Sequence, residues 1–174
     1  MKNVLIVIDM QNDFIDGSLG TPEAQAIVPN VKKKIEEYRS RGDEIVFTRD
    51  THKLDYLNTN EGKHLPVEHC IYDTWGWHIH PCLQMPNELI INKKTFGFMG
   101  WDIWAGCLDE KNTNIEMIGL CTDICVVSNA LILKAMFPEA NITVDASCCA
   151  GVTPESHSAA LTTMKMCQIN VIGE

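Results

Sequence analysis

The sequence predicts an α/β fold: a three-layer α/β/α arrangement around a central, mostly parallel six-stranded sheet, read as one domain over residues 1–174. Three observations predict it. Short, nearly all-apolar runs such as "NVLIVID" have the pattern of strands buried on both faces. Segments with helical periodicity alternate with these runs, as βαβ units require. The chain is 45% hydrophobic and shows no repeat, low-complexity segment or linker, which suits one core.

Each element has its own justification. "NVLIVID" is the first strand. "PNVKKKIEEYRSRG" reads as a helix: Pro29 suits its first position, Val31, Ile35 and Tyr38 share a face, and Gly42 suits the stop. "EIVFTRD" is the second strand. Residues Thr51 to Pro86 then run on with little periodicity, and a loop that long in a compact domain is usually functional. "NELIINK" and "NIEMIGL" are the third and fourth strands. From Thr122, as N-cap, Ile124, Val127, Leu131 and Ala135 mark a helical face that Pro138 ends. "NITVDA" is the fifth strand. "TPESHSAALTTMKM" is a helix capped by Thr153 with Pro154 at its first position, and "CQINVIG" supplies the sixth strand.

Ligands of parallel sheets bind at the carboxyl ends of the strands. Asp9 ends the first strand, Asp50 the second with His52 behind it, Lys93 or Lys94 the third, and the Cys121–Cys125 turn the fourth. An acid, a base and a thiol at neighbouring strand ends point to nucleophilic chemistry. Cys125 falls in the first turn of its helix, where free N–H groups and a nearby lysine favour a thiolate with a lowered pKa. Asp9, on a buried strand end, would have its pKa raised toward the range of a proton acceptor. Bland readings compete: a core thiol for Cys125, a turn former for Asp9, a solvated strand end for the lysine. Cys121, Cys148 and Cys149 read as buried thiols.

Composition narrows the alternatives. Net charge is -9, from 23 acidic and 14 basic residues, which argues against nucleic acid or an anionic membrane as partner. No window is long and apolar enough to cross a bilayer, and Asp9 interrupts the only signal-like start, so the expected location is the cytoplasm with the eight cysteines mostly reduced. No arginine follows Cys125 within the next turn, unlike a phosphatase loop.

Together "IDMQNDF", "RDTH", "EHC", "KKTFGF" and "GLCTDICV" resemble, in order, the isochorismatase-like cysteine hydrolase superfamily, and within it the nicotinamidase/pyrazinamidase branch. The resemblance implies a catalytic triad of Asp9, Lys93 and Cys125; the family lysine precedes an aromatic by three positions, which selects Lys93, with Phe96 following, over Lys94. It also implies a cis Leu120–Cys121 peptide and an oxyanion site made by the N–H groups of Cys121 and Cys125. Cys121 stands where relatives often carry Ala, Val or Thr. Phe14 matches a ring-stacking position, and Trp75 is a looser substrate-binding candidate; Trp77 and Trp101 suit core or pocket. The family pattern P-x-H-C-x-x-G-T departs here to "PVEHCIYDTWG", with an extra residue before His69 and Asp73 for glycine.

A metal is the remaining question. Asp50 and His52, two apart in extended backbone, turn to one side. Glu61 and His69 lie further along the loop. Two imidazoles and two carboxylates suit Zn²⁺, Fe²⁺ or Mn²⁺ without choosing among them, and a hydrogen-bonded turn explains a lone D-x-H pair equally. The family resemblance implies that Asp50, His52, Glu61 and His69 hold a divalent metal, zinc first. His64, His78 and His80 read as surface groups, or as groups behind the ligands, and His157 as a satisfied structural histidine.

The function expected is metal-assisted hydrolysis of a small amide through a thioester, nicotinamide to nicotinate first. Another amide, carbamoyl or ureido substrate is the alternative within the superfamily. A thiol redox sensor or structural metal site is the alternative of a different class. A homo-oligomer, with Trp101 and Trp104 at an interface or in the core, is implied by resemblance.

Overall fold

The computed structural model describes residues 1–84, 87–106 and 108–174. Six strands form one sheet: β1 (Lys2–Ile8), β2 (Glu44–Asp50), β3 (Leu89–Lys93), β4 (Thr113–Leu120), β5 (Asn141–Ala150) and β6 (Asn170–Ile172). Their order is β3-β2-β1-β4-β5-β6, and every pairing is parallel. All carboxyl ends therefore lie along one edge. The order reverses between β1 and β4, which opens a crevice there.

β1 is flanked on both sides, so neither face nor edge meets water; Val4 to Ile8 are fully buried. Alternation divides the strand between two cores. Val4, Ile6 and Ile8 pack with α5 (Val127–Met136) and α6 (Pro154–Met166) on one face, and Leu5 and Val7 with α2 (Pro22–Arg41) on the other. Among the described residues no helix is long and apolar enough to cross a membrane.

α2 starts earlier than its periodicity predicts. Thr21 is the N-cap, its hydroxyl accepting from the Ala24 N–H at 3.0 Å, and Pro22 takes the first turn. Pro29, expected as the first residue, sits inside the helix. It lies on the exposed face, where water can satisfy the carbonyl that its missing N–H leaves free. Ala24, Ile27, Val31, Ile35 and Tyr38 face the core, and Gly42 ends the helix in the left-handed region.

The long segment after β2 condenses into single turns rather than regular structure: Tyr56–Asn58, α3 (Asn60–His64) and Trp75–Trp77. Its last residues, 85 and 86, are outside those described. Two more short helices, α1 (Asn12–Ile15) and α4 (Trp101–Ala105), escape the periodicity because neither completes two turns. Gly119 is needed where β4 meets β1. Its φ is +121°, and a Cβ there would lie 2.1 Å from the Ile8 carbonyl oxygen. The β4–β5 register shifts at the same place and steers the chain toward Cys121.

Candidate active site

Asp9 follows β1 with a φ of +47°, which turns its carboxylate back over the sheet edge. Thr48 on β2 fixes it: the threonine hydroxyl donates to Oδ1 at 2.6 Å and accepts the Asp9 N–H at 3.2 Å. Lys93 ends β3 in register with Asp50 of β2. Its side chain is buried, whereas Lys94 is exposed, so burial as well as spacing separates the two. The Lys93 ammonium lies 2.6 Å from Asp9 Oδ2, 3.4 Å from Cys125 Sγ and 3.5 Å from Asp50 Oδ1. Three donors thus meet three partners.

The Leu120–Cys121 peptide is cis. The chain then winds through a wide turn, Thr122–Val126, before α5. The Cys121 carbonyl accepts from Ile124 and Val126 N–H groups at 3.1 and 3.0 Å, the second bond closing an i to i+5 ring. The N-cap is Cys121, not Thr122 as the sequence suggested. Thr122 is pulled inward instead, and its hydroxyl meets His157 Nδ1 of α6 at 2.8 Å. That contact gives the structural role expected of His157. Cys121 is half-buried and lines the cavity, unlike Cys148 and Cys149, which are buried.

Electrostatics correct one expectation. Burial and the Asp9 carboxylate push the Cys125 thiol up, and Lys93 does not pull it back to its usual range. Burial thus works against the preformed thiolate that a first-turn position alone would favour. Burial likewise raises Asp9 against the pull of Lys93. Burial opposes the charge on Lys93, but the Asp9 and Asp50 carboxylates outweigh it and keep the ammonium protonated.

Beside this group, one potential ligand atom from each of Asp50, His52, Glu61 and His69 lies within 4.8 Å of all the others. His52 Nε2 is 3.1 Å from Asp50 Oδ2 and 3.6 Å from Glu61 Oε1; His69 Nε2 is 3.8 and 3.9 Å from the same atoms. His69 Nδ1 is 2.9 Å from the Val67 carbonyl. That bond fixes the proton on Nδ1 in a neutral ring and aims the Nε2 lone pair at the carboxylates, as metal-binding histidines require. Asp50, Glu61 and Asp9 bring three acidic groups against one ammonium, so a divalent cation would balance the charge. The donor set fits such an ion. His64 and His78 are exposed, and His80 pairs with Asp16 at 3.4 Å, away from the cluster.

A cavity of about 340 Å³ opens onto both groups, with Cys125 on one side and Asp50, Glu61 and His69 on the other. Phe14 and Phe96 line it, and Phe14 packs 5.6 Å from the His69 ring. Trp75 does not line it: the ring is 60% exposed, and the residue's carbonyl accepts from Asn12 Nδ2 at 2.8 Å. Trp75 thus stands outside the lining of this cavity, exposed on the Thr74–His78 turn. Trp101 is fully buried in the core. Asp73, the departure from glycine, adopts a φ of +64°, a conformation glycine takes at less cost.

Sequence reasoning missed the residues that hold the ligands. Gln11 donates to the Asp50 carbonyl at 2.9 Å and accepts the Asp50 N–H at 2.7 Å, so it grips both backbone groups of that residue. Asp13 accepts the Cys70 N–H at 2.7 Å, next to His69. Both belong to "IDMQNDF", so the motif carried a signal that single-residue chemistry overlooked.

A family model described as Isochorismatase domain matches residues 3–173. The chain is 25% identical to the nicotinamidase of Escherichia coli (strain K12), over 93% of this chain and 89% of the other. It is 29% identical to a probable inactive nicotinamidase of Arabidopsis thaliana, over 94% and 88%. The crystal structure of pyrazinamidase of Pyrococcus horikoshii in complex with zinc matches with a TM-score of 0.84 at 28% identity, covering 100% of both chains.

Proposed function

From the premise that this chain belongs to the isochorismatase family, we propose that it hydrolyses a small amide through a thioester on Cys125, with nicotinamide, giving nicotinate and ammonia, as the first substrate. Membership alone does not carry activity, since one relative is named a probable inactive nicotinamidase. The observation that carries the reading is the Lys93 ammonium in contact with both the Asp9 carboxylate, at 2.6 Å, and the Cys125 sulfur, at 3.4 Å.

That contact makes proton transfer cheap in charge. Moving the proton from Sγ to the Asp9 carboxylate leaves the buried group's total charge unchanged, with Lys93 beside the negative charge before and after. Sγ attacks the carboxamide carbon as its proton passes to Asp9. The N–H groups of Cys121 and Cys125 receive the developing oxyanion. Asp9 then gives the proton to departing ammonia. In the second half, Asp9 takes a proton from water as the water attacks the thioester, and returns it to sulfur as the carboxylic acid leaves and gives up its remaining proton to solvent.

Asp50, His52, Glu61 and His69 would hold a divalent metal, zinc first with iron or manganese as alternatives. When bound, it supplies a Lewis-acid contact for a ring nitrogen. Phe14 and Phe96 present apolar walls to a flat ring. Ammonia release from nicotinamide tests the reading. The Cys125→Ala protein should keep its fold by circular dichroism and lose turnover; persistent release would rule out this nucleophile.

A further inference from the structure

Asn129 lies four residues beyond Cys125 in the first turn of α5 and is wholly buried. Its carboxamide makes four hydrogen bonds. Nδ2 donates to the Cys125 carbonyl at 2.7 Å and to the Phe96 carbonyl at 3.0 Å. Oδ1 accepts from the Phe98 N–H at 2.9 Å and from the Trp101 indole N–H at 3.0 Å. Both donors and both lone pairs are used. Three partners lie in the strap 96–101 that leaves the Lys93 strand, and the fourth is the carbonyl of the nucleophile itself.

The strap is fitted closely to α5. A Cβ at Gly97 would lie 2.3 Å from Ile132 Cδ1. Phe98 and Trp101 meet edge to face, with centroids 5.2 Å apart. The strap also carries Phe96 to the wall of the cavity that Phe14 lines, and Phe96 is 45% exposed, so packing alone does not hold it. Asn is a poorer helix former than Ala or Leu, and a buried carboxamide is costly unless fully bonded. What it holds therefore explains why it stands there.

We propose that Asn129 is a positioning residue that sets the Phe96 wall and the Cys125 turn against each other, so that ring selectivity and attack geometry depend on one carboxamide. The inference rests on the amide hydrolysis proposed above. It adds that the aromatic wall is placed from the nucleophile's own helix.

The test compares wild type, Phe96→Ala, Asn129→Ala and the double variant on nicotinamide and on propionamide, a ringless amide. Phe96→Ala should lower kcat/KM for nicotinamide about 10-fold and for propionamide by clearly less, so that the ratio between the two falls. Asn129→Ala should lower kcat on both about 10- to 100-fold. It should also reduce the preference for the ring as far as Phe96→Ala does, and the double variant should lose no further preference. If Asn129→Ala does not fold, Asn129→Leu keeps the volume and adds no charge but loses all four hydrogen bonds, and the same pattern is expected. A lowered melting temperature with kcat and ring preference unchanged would overturn the proposal, leaving a purely structural residue. Peptide-resolved alkylation of Cys125 separates this failure from failure of the proposed function, because it needs no turnover. Iodoacetamide and a pyridyl-bearing chloroacetamide should react with Cys125 in a ratio that Asn129→Ala shifts toward the ringless reagent. An unshifted ratio sinks the inference whatever the enzyme hydrolyses, and a shifted ratio without nicotinamide turnover sinks only the substrate.

Discussion

Asp9, Lys93 and Cys125 reach the site from three strand ends, whereas three of the four clustered donors beside them, His52, Glu61 and His69, come from a segment with almost no regular structure. Parallel register sets the first group: Lys93 pairs with Asp50, and Ile8, just before Asp9, pairs with Gly119, just before Leu120–Cys121. The second group has only Asp50 on a strand. His52 is held by a single bridge to Ile71, Glu61 by a five-residue helix, and His69 by one bond to the Val67 carbonyl. Side chains from the first loop, Gln11 and Asp13, do the work there that backbone ladders do for the strand-end group. The strand-end group is thus as rigid as the sheet, and the loop group touches it through Asp50, 3.5 Å from Lys93.

Substitutions can break that distinction. Asp9→Asn removes the proton acceptor and should lower kcat/KM by about 10²- to 10⁴-fold, with little change at a metal held by the neighbouring cluster, read by metal content after dialysis. Chelation, or Asp13→Ala, should act the other way. It should raise KM for nicotinamide about 10- to 100-fold while a ringless amide is hydrolysed nearly as before. An equal loss on both substrates would mean that the two groups are not separable.

Acidity sharpens the same contrast. Asp9 must be ionised to accept the Cys125 proton, and burial raises its pKa above the ordinary 3.8. The rate should therefore fall as pH drops through a value above that figure, while the fold persists. A control lies away from both groups. Burial works against the charge on Asp145, but hydrogen bonds from Ser147 and the Lys34 ammonium at 2.9 Å lower its pKa below 3.8. Its ionised form stabilises the fold fully above the ordinary carboxylate pKa and is lost as pH falls through the lowered one. Asp145→Asn should cost about 1–3 kcal/mol at neutral pH, a gap that closes in strong acid, with turnover unchanged.

The same division decided what could be read from sequence. Asp9 was legible because it ends an apolar run whose period is plain; Lys93 shared its strand end with Lys94, and the family resemblance, not the pattern, chose between them. The start of α2 was not, because Pro29 mimics a first-turn proline and the true cap, Thr21 with Pro22, carries the same signature seven residues earlier. The upward push on the Cys125 thiol was missed because a first-turn position speaks of the helix dipole and says nothing of how deeply the sulfur is buried. The exposure of Trp75 was not legible because nothing in "DTWGWHIH" tells which of two tryptophans faces inward; Trp77 does, with its indole N–H on the Thr51 hydroxyl at 2.9 Å. Gln11, Asp13 and Asn129 act through backbone groups distant in sequence, and no local pattern marks such partners.

The central claim is that Asp9, Lys93 and Cys125 act as one unit. The most direct measurement is kcat/KM for nicotinamide in Asp9→Asn, Lys93→Met, Cys125→Ala and the triple variant, each confirmed folded. The account predicts a triple variant no slower than Cys125→Ala alone, because a unit that has lost one member has nothing further to lose. Losses that multiply from one substitution to the next would contradict it.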